Sequence, residues 1–297
     1  MAPGHHPPPA KIRSTGTFAR LAAMTASTPP QLLVQLSDTH ITRQGTWLDD
    51  RVDTAALLAQ AVAAVGRLQP RPLAVLVSGD LVNAGAPDEY AHLRTLLAPL
   101  PGPVYLVPGN HDERSALRAA FADHAYLAQT ASEGFIQYAV DVGGLRLVAL
   151  DTVVPGAGHG ALCERRLQWL DATLAQAPQQ PTLVAMHHPP FATHIAHMDA
   201  LGLREGREAF AAVIARHPQV ERVVCGHLHR SIQVRLAHTV ALTVPSTAHQ
   251  VDADLGGQRP ASYTLEPPGM AVHAWTCGTD LVSHVLPTGN HPGPYAF

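Results

Sequence analysis

Five short segments of this chain each end an apolar run on residues that bind cations. Asp38-Thr39-His40 follows LLVQLS, Gly79-Asp80 follows LAVLVS, and Gly109-Asn110-His111-Asp112 follows VYLVP. His187-His188-Pro189-Pro190 follows TLVAM, and Gly226-His227-Leu228-His229 follows VERVVC. Carboxylate, amide and imidazole groups without thiolate form an oxygen-and-nitrogen ligand set compatible with Fe, Mn, Zn or Co. Two such cations side by side are a common apparatus for hydrolysing phosphate esters.

Each segment supports a specific role. Asp38 and His40 lie two residues apart; on an extended segment both side chains point the same way and can grip one cation together. Asp80 follows a glycine that permits close backbone approach, and its two oxygens suit a bridge between two cations. Pro108-Gly109 makes the turn that presents the Asn110 amide, leaving His111 to act on substrate and Asp112 to fix the His111 tautomer. Prolines end the strand after His187 and His188, so one imidazole can be a ligand while the other supports it. His227 and His229 repeat the two-residue spacing. His159, in the loop segment PGAGHG, is a further candidate for lining the pocket.

These segments need a scaffold that brings strand ends together. From residue 31 apolar strands alternate with helical stretches: strand patterns at 32–37, 73–78 and 104–108, and helical spacing over 53–69, 88–98 and 112–122. Asp53 is placed to cap the first helix. FIQYAVDV and LRLVALD, joined by Gly143-Gly144, carry a hairpin signal. Helices over 164–176 and 204–216 lead into TLVAMH and VERVVCG. Beyond His229 the texture becomes short strands separated by turn residues. The pattern predicts two packed sheets with helices on their outer faces. In α/β sheets sites gather at the carboxyl ends of strands, where all five segments lie.

Composition sets limits. A length of 297 residues accommodates one large α/β domain with a full core. We expect a disordered leader over 1–30, with Met24 an alternative start, and a single domain over 31–297 whose part from 231 to 297 is β-rich. The net charge of −3 gives no basic field for a nucleic acid polymer. No apolar run approaches the roughly 18 residues that span a bilayer. The three cysteines are dispersed and unpaired in sequence, which suggests the cytoplasm, with a bridge involving Cys277 left open.

The ordered set D-x-H, G-D, G-N-H-D, H-H-P-P and G-H-x-H, over about residues 32–235, resembles the calcineurin-like metallophosphoesterase superfamily. GNHDER, LDTVVPGAGHG and MHHPPF resemble its bacterial class III cyclic-nucleotide phosphodiesterases and the related glycerophosphodiesterases. The resemblance implies a four-layer α/β/β/α sandwich of two mixed sheets flanked by helices. It implies one metal on Asp38, His40 and His229, a second on Asn110, His187 and His227, and Asp80 bridging. His187 is preferred to His188 because the family's ligand precedes x-Pro. Fe or Mn would fill one site and Mn or Zn the other, and a homo-oligomer, dimer or higher, would be expected. The implied reaction is hydrolysis of a small-molecule phosphodiester, 3′,5′-cyclic AMP foremost, by a hydroxide shared between two metals about 3.5–4 Å apart. A glycerophosphodiesterase, or a promiscuous phosphodiesterase or phosphomonoesterase, is the alternative. His111 would contact phosphate or protonate the leaving group. FATHIAHMDALGL is the expected lid, and Trp47 with Leu48 could flank a base or aryl group.

Overall fold

A computed structural model describes residues 29–130, 134–276 and 280–296. The expected leader, apart from Pro29 and Pro30, and Cys277 lie outside the described residues.

The chain opens with β1 (Gln31–Leu36), α1 (Thr54–Arg67), β2 (Ala74–Ser78), α2 (Pro87–Leu97), β3 (Val104–Val107) and α3 (Arg114–Ala120). Asp53 caps α1 as its side chain accepts from the Ala56 amide at 2.9 Å. Pro87 starts α2, where its missing N–H costs nothing, and the Glu89 side chain accepts from the Ala84 and Ala86 amides ahead of the helix. The hairpin follows as β4 (Tyr138–Val142) and β5 (Leu145–Leu150), with Gly143 and Gly144 both at positive φ, which that turn requires. Then come β6 (Gly160–Ala161), α4 (Glu164–Ala175), β7 (Thr182–Met186), α5 (Ala196–Asp199), β8 (Leu203–Glu205), α6 (Arg207–Arg216) and β9 (Val220–Cys225). The chain ends with β10 (Ile232–Leu236), β11 (Thr239–Thr243), β12 (Gln250–Val251), β13 (Tyr263–Thr264), β14 (Gly269–Trp275) and β15 (Val282–Pro287).

Two mixed sheets form, in the orders β15-β14-β1-β2-β3 and β10-β11-β9-β7-β5-β4. The C-terminal strands therefore divide: β10 and β11 extend the second sheet, while β14 returns to pair antiparallel with β1 in the first. Alternation along the strands of the second sheet shows the layering. Leu147, Ala149, Leu183, Ala185 and Val224 share a core with the first sheet, α1 and α2. Their neighbours Val148, Leu150, Val184, Met186 and Val223 face the other way and pack with Leu167, Leu170, Phe210 and Ile214 of α4 and α6. This is the four-layer α/β/β/α arrangement, and it places the carboxyl ends of β1, β2, β3, β7 and β9 at one rim where the two sheets meet. Among the described residues no helix is long and apolar enough to cross a membrane.

Candidate metal centre

The backbone bends sharply at this rim. Asp38, His40, Asp80, His227 and His229 all have positive φ, between 43° and 72°. Left-handed backbone is costly for residues with a Cβ and gathers where a site over-determines it. It also revises the geometry expected from spacing. Asp38 and His40 lie beyond the end of β1, and turns, not strand alternation, aim them. His227 and His229 diverge: His227 joins His187 and His188, while His229 joins Asp38, His40 and Asp80.

The resulting cluster is dense and buried. The Asp80 carboxylate lies at its centre, with one oxygen 3.3 Å from His187 Nε2 and 3.7 Å from His40 Nε2. Its other oxygen accepts from the His111 backbone N–H at 2.9 Å. Asn110 Oδ1 is 3.2 Å from His187 Nε2. On the other side His229 Nε2 is 3.4 Å from Asp38 and 3.2 Å from His40 Nε2. Backbone carbonyls set two tautomers: His187 Nδ1 donates to Ser78 O and His229 Nδ1 to His249 O, each at 2.9 Å. Both imidazoles thus turn Nε2 toward the place a cation would take. His227 donates its backbone N–H to both Asp38 oxygens, yet neither of its ring nitrogens has a partner although the residue is buried. His40 Nδ1 is likewise unpartnered. Buried polar atoms without partners are rare, and a cation in the cluster would take up one of the His227 ring nitrogens. The residues present therefore fit a pair of metal ions.

The electrostatics agree. Burial alone would raise the Asp38 carboxyl, but the charge of His229 and its hydrogen bond hold it at about 2. Burial opposes ionisation of Asp80 too, and His187 outweighs it, so the group sits well below the usual carboxylate range. Burial would lower His187, but the Asp80 carboxylate raises it to about 9. The His187 proton is the counter-charge of Asp80, so a cation that takes the place between them must displace it. Burial drives His40 and His188 far below the ordinary imidazole range and His227 to about 3, which leaves all three neutral.

His188 sits behind His187. The two rings meet edge-on at 4.9 Å, and His188 Nδ1 pairs with Thr152 Oγ1 at 2.8 Å. His111 is exposed at the mouth, and its Nδ1 donates to Asn83 O at 2.6 Å. The tautomer-fixing partner is thus Asn83, not Asp112. Asp112 is buried and turned into the protein, where it accepts from Gly109 N at 2.8 Å, Leu81 N at 3.1 Å and the Tyr90 hydroxyl at 2.9 Å. It welds the loop carrying Asn110 to the loop carrying Asp80. Burial raises its carboxyl to about 7. His159 is half-buried on the loop before β6 and is not among the cleft-lining residues.

A cleft of about 380 Å³ opens over the cluster. His40, Asp80, Asn110, His111, His227 and His229 form its floor, and Leu48, Met198, Leu201, Val251 and Tyr263 line its walls. Met198 and Leu201 come from the expected lid, whereas Trp47 lies outside with 54% of its surface exposed. His249 is the residue that motif reading missed. It lines the cleft with its Nδ1 unpartnered, and its ring is 4.6 Å from that of His229 and 5.3 Å from that of His40. A signal was present: it follows the apolar run TVALTV, but four residues intervene.

Gly226 shows how tightly the rim is built. A Cβ there would lie 2.2 Å from Ser37 Oγ, 2.7 Å from Ser78 O and 2.9 Å from Asp38 Oδ2. Gly226→Ala should cost about 1–3 kcal/mol in urea unfolding, the usual range for overpacking. It should also weaken metal uptake by displacing Asp38; unchanged values of both would show that the rim yields easily.

The sequence model of the calcineurin-like phosphoesterases matches residues 32–231. A probable glycerophosphodiester phosphodiesterase GpdQ of Arcobacter nitrofigilis is 32% identical over 266 residues, 90% of this chain and 96% of that protein. The 3′,5′-cyclic adenosine monophosphate phosphodiesterase CpdA of Pseudomonas aeruginosa is 35% identical over 74% of this chain and 77% of its own. Among solved structures, a dimetal phosphatase from Danio rerio superposes with a TM-score of 0.62 at 18% identity, covering 86% of this chain and 99% of that one, a likeness of fold. With its fold, its cluster of carboxylate and imidazole groups and these relatives, the chain belongs to the calcineurin-like phosphoesterase family.

Proposed function

We propose that the protein is a dinuclear metal-dependent phosphodiesterase acting on small diesters, with 3′,5′-cyclic nucleotides such as cyclic AMP as the favoured class. The observation that carries the reading is the Asp80 carboxylate set between two imidazole clusters, within 3.3 Å of His187 Nε2 and 3.7 Å of His40 Nε2. Asp38, His40 and His229 would hold one ion, Asn110, His187 and His227 the other, and Asp80 would bridge them. His187 is preferred to His188 as ligand because its Nε2 faces Asp80 and Asn110. Fe and Mn are the ions we favour for this donor set, with Zn or Co as alternatives. When bound, such a pair supplies Lewis acidity and a nucleophile at neutral pH.

The chain's own residues do the rest. Asp38 and Asp80, held ionised, set the charge of the floor. The Ser78 and His249 carbonyls lock the imidazoles so that Nε2 faces inward. His111 stands at the mouth with Nδ1 engaged, so Nε2 can donate to a phosphate oxygen or the leaving group when the ring is protonated. The apolar wall of Leu48, Met198, Leu201, Val251 and Tyr263 supports a substrate with a flat or apolar group, such as a nucleobase, beside the phosphate. Glycerophosphodiester hydrolysis is the second reading, supported by the GpdQ relative that spans 90% of this chain. His159 would act from the rim by contacting substrate. Cys163 and Cys225 are free thiols, in keeping with the cytoplasm as the compartment.

Steady-state kinetics on 3′,5′-cyclic AMP, glycerophosphoethanolamine and bis(p-nitrophenyl) phosphate, with Mn²⁺ returned to chelator-treated protein, tests this. We expect turnover only with added metal, and efficient cleavage of cyclic AMP. Cleavage confined to the glycerol diester would select the second reading, and metal-independent activity would overturn both.

A further inference from the structure

Gln35 is the one polar residue within LLVQL, and it is fully buried at the seam between the two sheets. Its hydrogen-bonding capacity is used from both ends. Its Nε2 donates to Ser78 Oγ of β2 at 2.8 Å and to Cys225 O of β9 at 3.3 Å. Its Oε1 accepts from His273 Nε2 of β14 at 3.1 Å. The other His273 nitrogen, Nδ1, faces the half-buried Ser283 Oγ of β15 at 2.8 Å. Ser78 passes the chain inward. Its hydroxyl donates to Ser37 Oγ at 2.8 Å, and its carbonyl accepts from His187 Nδ1 at 2.9 Å.

The direction of this chain follows from its members. Both protons of an amide nitrogen must be donated, so Ser78 Oγ and Cys225 O are acceptors and the amide oxygen faces His273. His273 is neutral, because burial takes it down to about 3. It then donates from Nε2 and accepts from the Ser283 hydroxyl at Nδ1. Ser78 Oγ, occupied by the Gln35 proton, turns its own proton to Ser37. The peptide of Ser78 is pinned with its carbonyl toward His187.

We propose that Gln35 is a positioning residue for the metal centre, tying together the strand ends that carry Asp38 and His40, Asp80, and His227 and His229. Gln35 is three residues before Asp38, Ser78 two before Asp80, and Cys225 two before His227. Asp38 and Asp80 extend from one sheet and His227 from the other. Aliphatic side chains between sheets set their spacing but tolerate sliding. A buried amide with three directed partners does not, because any slide leaves a polar group unsatisfied. The proposal rests on the metal-centre reading above.

The test compares Gln35→Met, which keeps an unbranched chain of similar length, with Leu33→Ala, two residues away in the same strand and also fully buried. Metal-free protein is titrated with Mn²⁺ by calorimetry, and kcat is measured at saturating Mn²⁺. We expect Gln35→Met to lose about 10–100-fold in Mn²⁺ affinity, the usual effect of removing a group that orients metal ligands, with kcat falling and KM unchanged. Leu33→Ala should lower the melting temperature at least as much while keeping its Mn²⁺ affinity. Ser78→Ala, which removes one hydroxyl and leaves no large cavity, should show part of the Gln35→Met loss, and it decides the matter if Gln35→Met does not fold. Wild-type affinity in the folded polar variants, or an equal loss in Leu33→Ala, overturns the proposal. Uptake of fewer than two Mn²⁺ by the wild type would instead refute the metal-centre reading itself.

Discussion

Asp80→Ala should leave a folded protein that retains fewer than two metal ions per chain and turns over about 10³-fold more slowly or not at all, in line with loss of a preorganised charge at a transition state. The reason is position. Asp80 is the carboxylate that faces His187 on one side and His40 on the other while accepting from the backbone at His111. Without it, His187 loses the group that keeps its proton near pH 9 and can become neutral. The deletion therefore leaves no stranded buried charge, and the metal-free variant should melt close to the metal-free wild type. The difference should appear on adding metal. A ligand at 1,000 times its Kd stabilises the folded state by about 4 kcal/mol, and Asp80→Ala should forgo most of that gain. Asp80→Asn separates charge from shape, since its amide oxygen can still accept from His111 N–H; it should fold like the wild type and still lose turnover. Retained activity with two metals per chain would remove Asp80 from the bridging role.

Much of this site is legible in the chain because each group follows an apolar run. β1, β2, β3, β7 and β9 are visible as such runs, and the rule that sites form at strand carboxyl ends brings their termini together from the sequence alone. The Asp53 cap and the Gly143-Gly144 turn were equally local and equally visible. The hidden parts depend on tertiary context. Spacing suggested that His227 and His229 act side by side, but left-handed turns send them to different halves of the cluster. Asp112 looked like a partner of His111 because it is adjacent in sequence. Its actual partners come from two loops and a helix, and the carbonyl that serves His111 is Asn83, 28 residues away. The return of β14 to the edge of β1 left no signal in periodicity, because an antiparallel strand reads the same wherever it docks. His249 was missed for a related reason: a loop of five residues separates it from β11 and hides the link to a strand end.

His111→Ala should separate binding from chemistry. The His111 contact to Asp80 is made by its backbone N–H, which alanine retains, so both metals should bind with wild-type stoichiometry. What alanine removes is an exposed imidazole whose Nδ1 is tied to Asn83 O and whose Nε2 is left to the substrate. If that nitrogen carries a proton to the leaving oxygen, its loss matters in proportion to how badly the leaving group needs the proton. A ribose alkoxide is a strong base and cyclic AMP hydrolysis should fall by about 10²–10⁴-fold, the range for general acid catalysis. A p-nitrophenolate departs without help, and bis(p-nitrophenyl) phosphate should lose about tenfold or less, the share that reflects phosphate contact alone. Metal content measured on the same samples guards against an indirect effect through Asn110. Equal losses on the two substrates would assign His111 to holding the phosphate rather than to proton transfer.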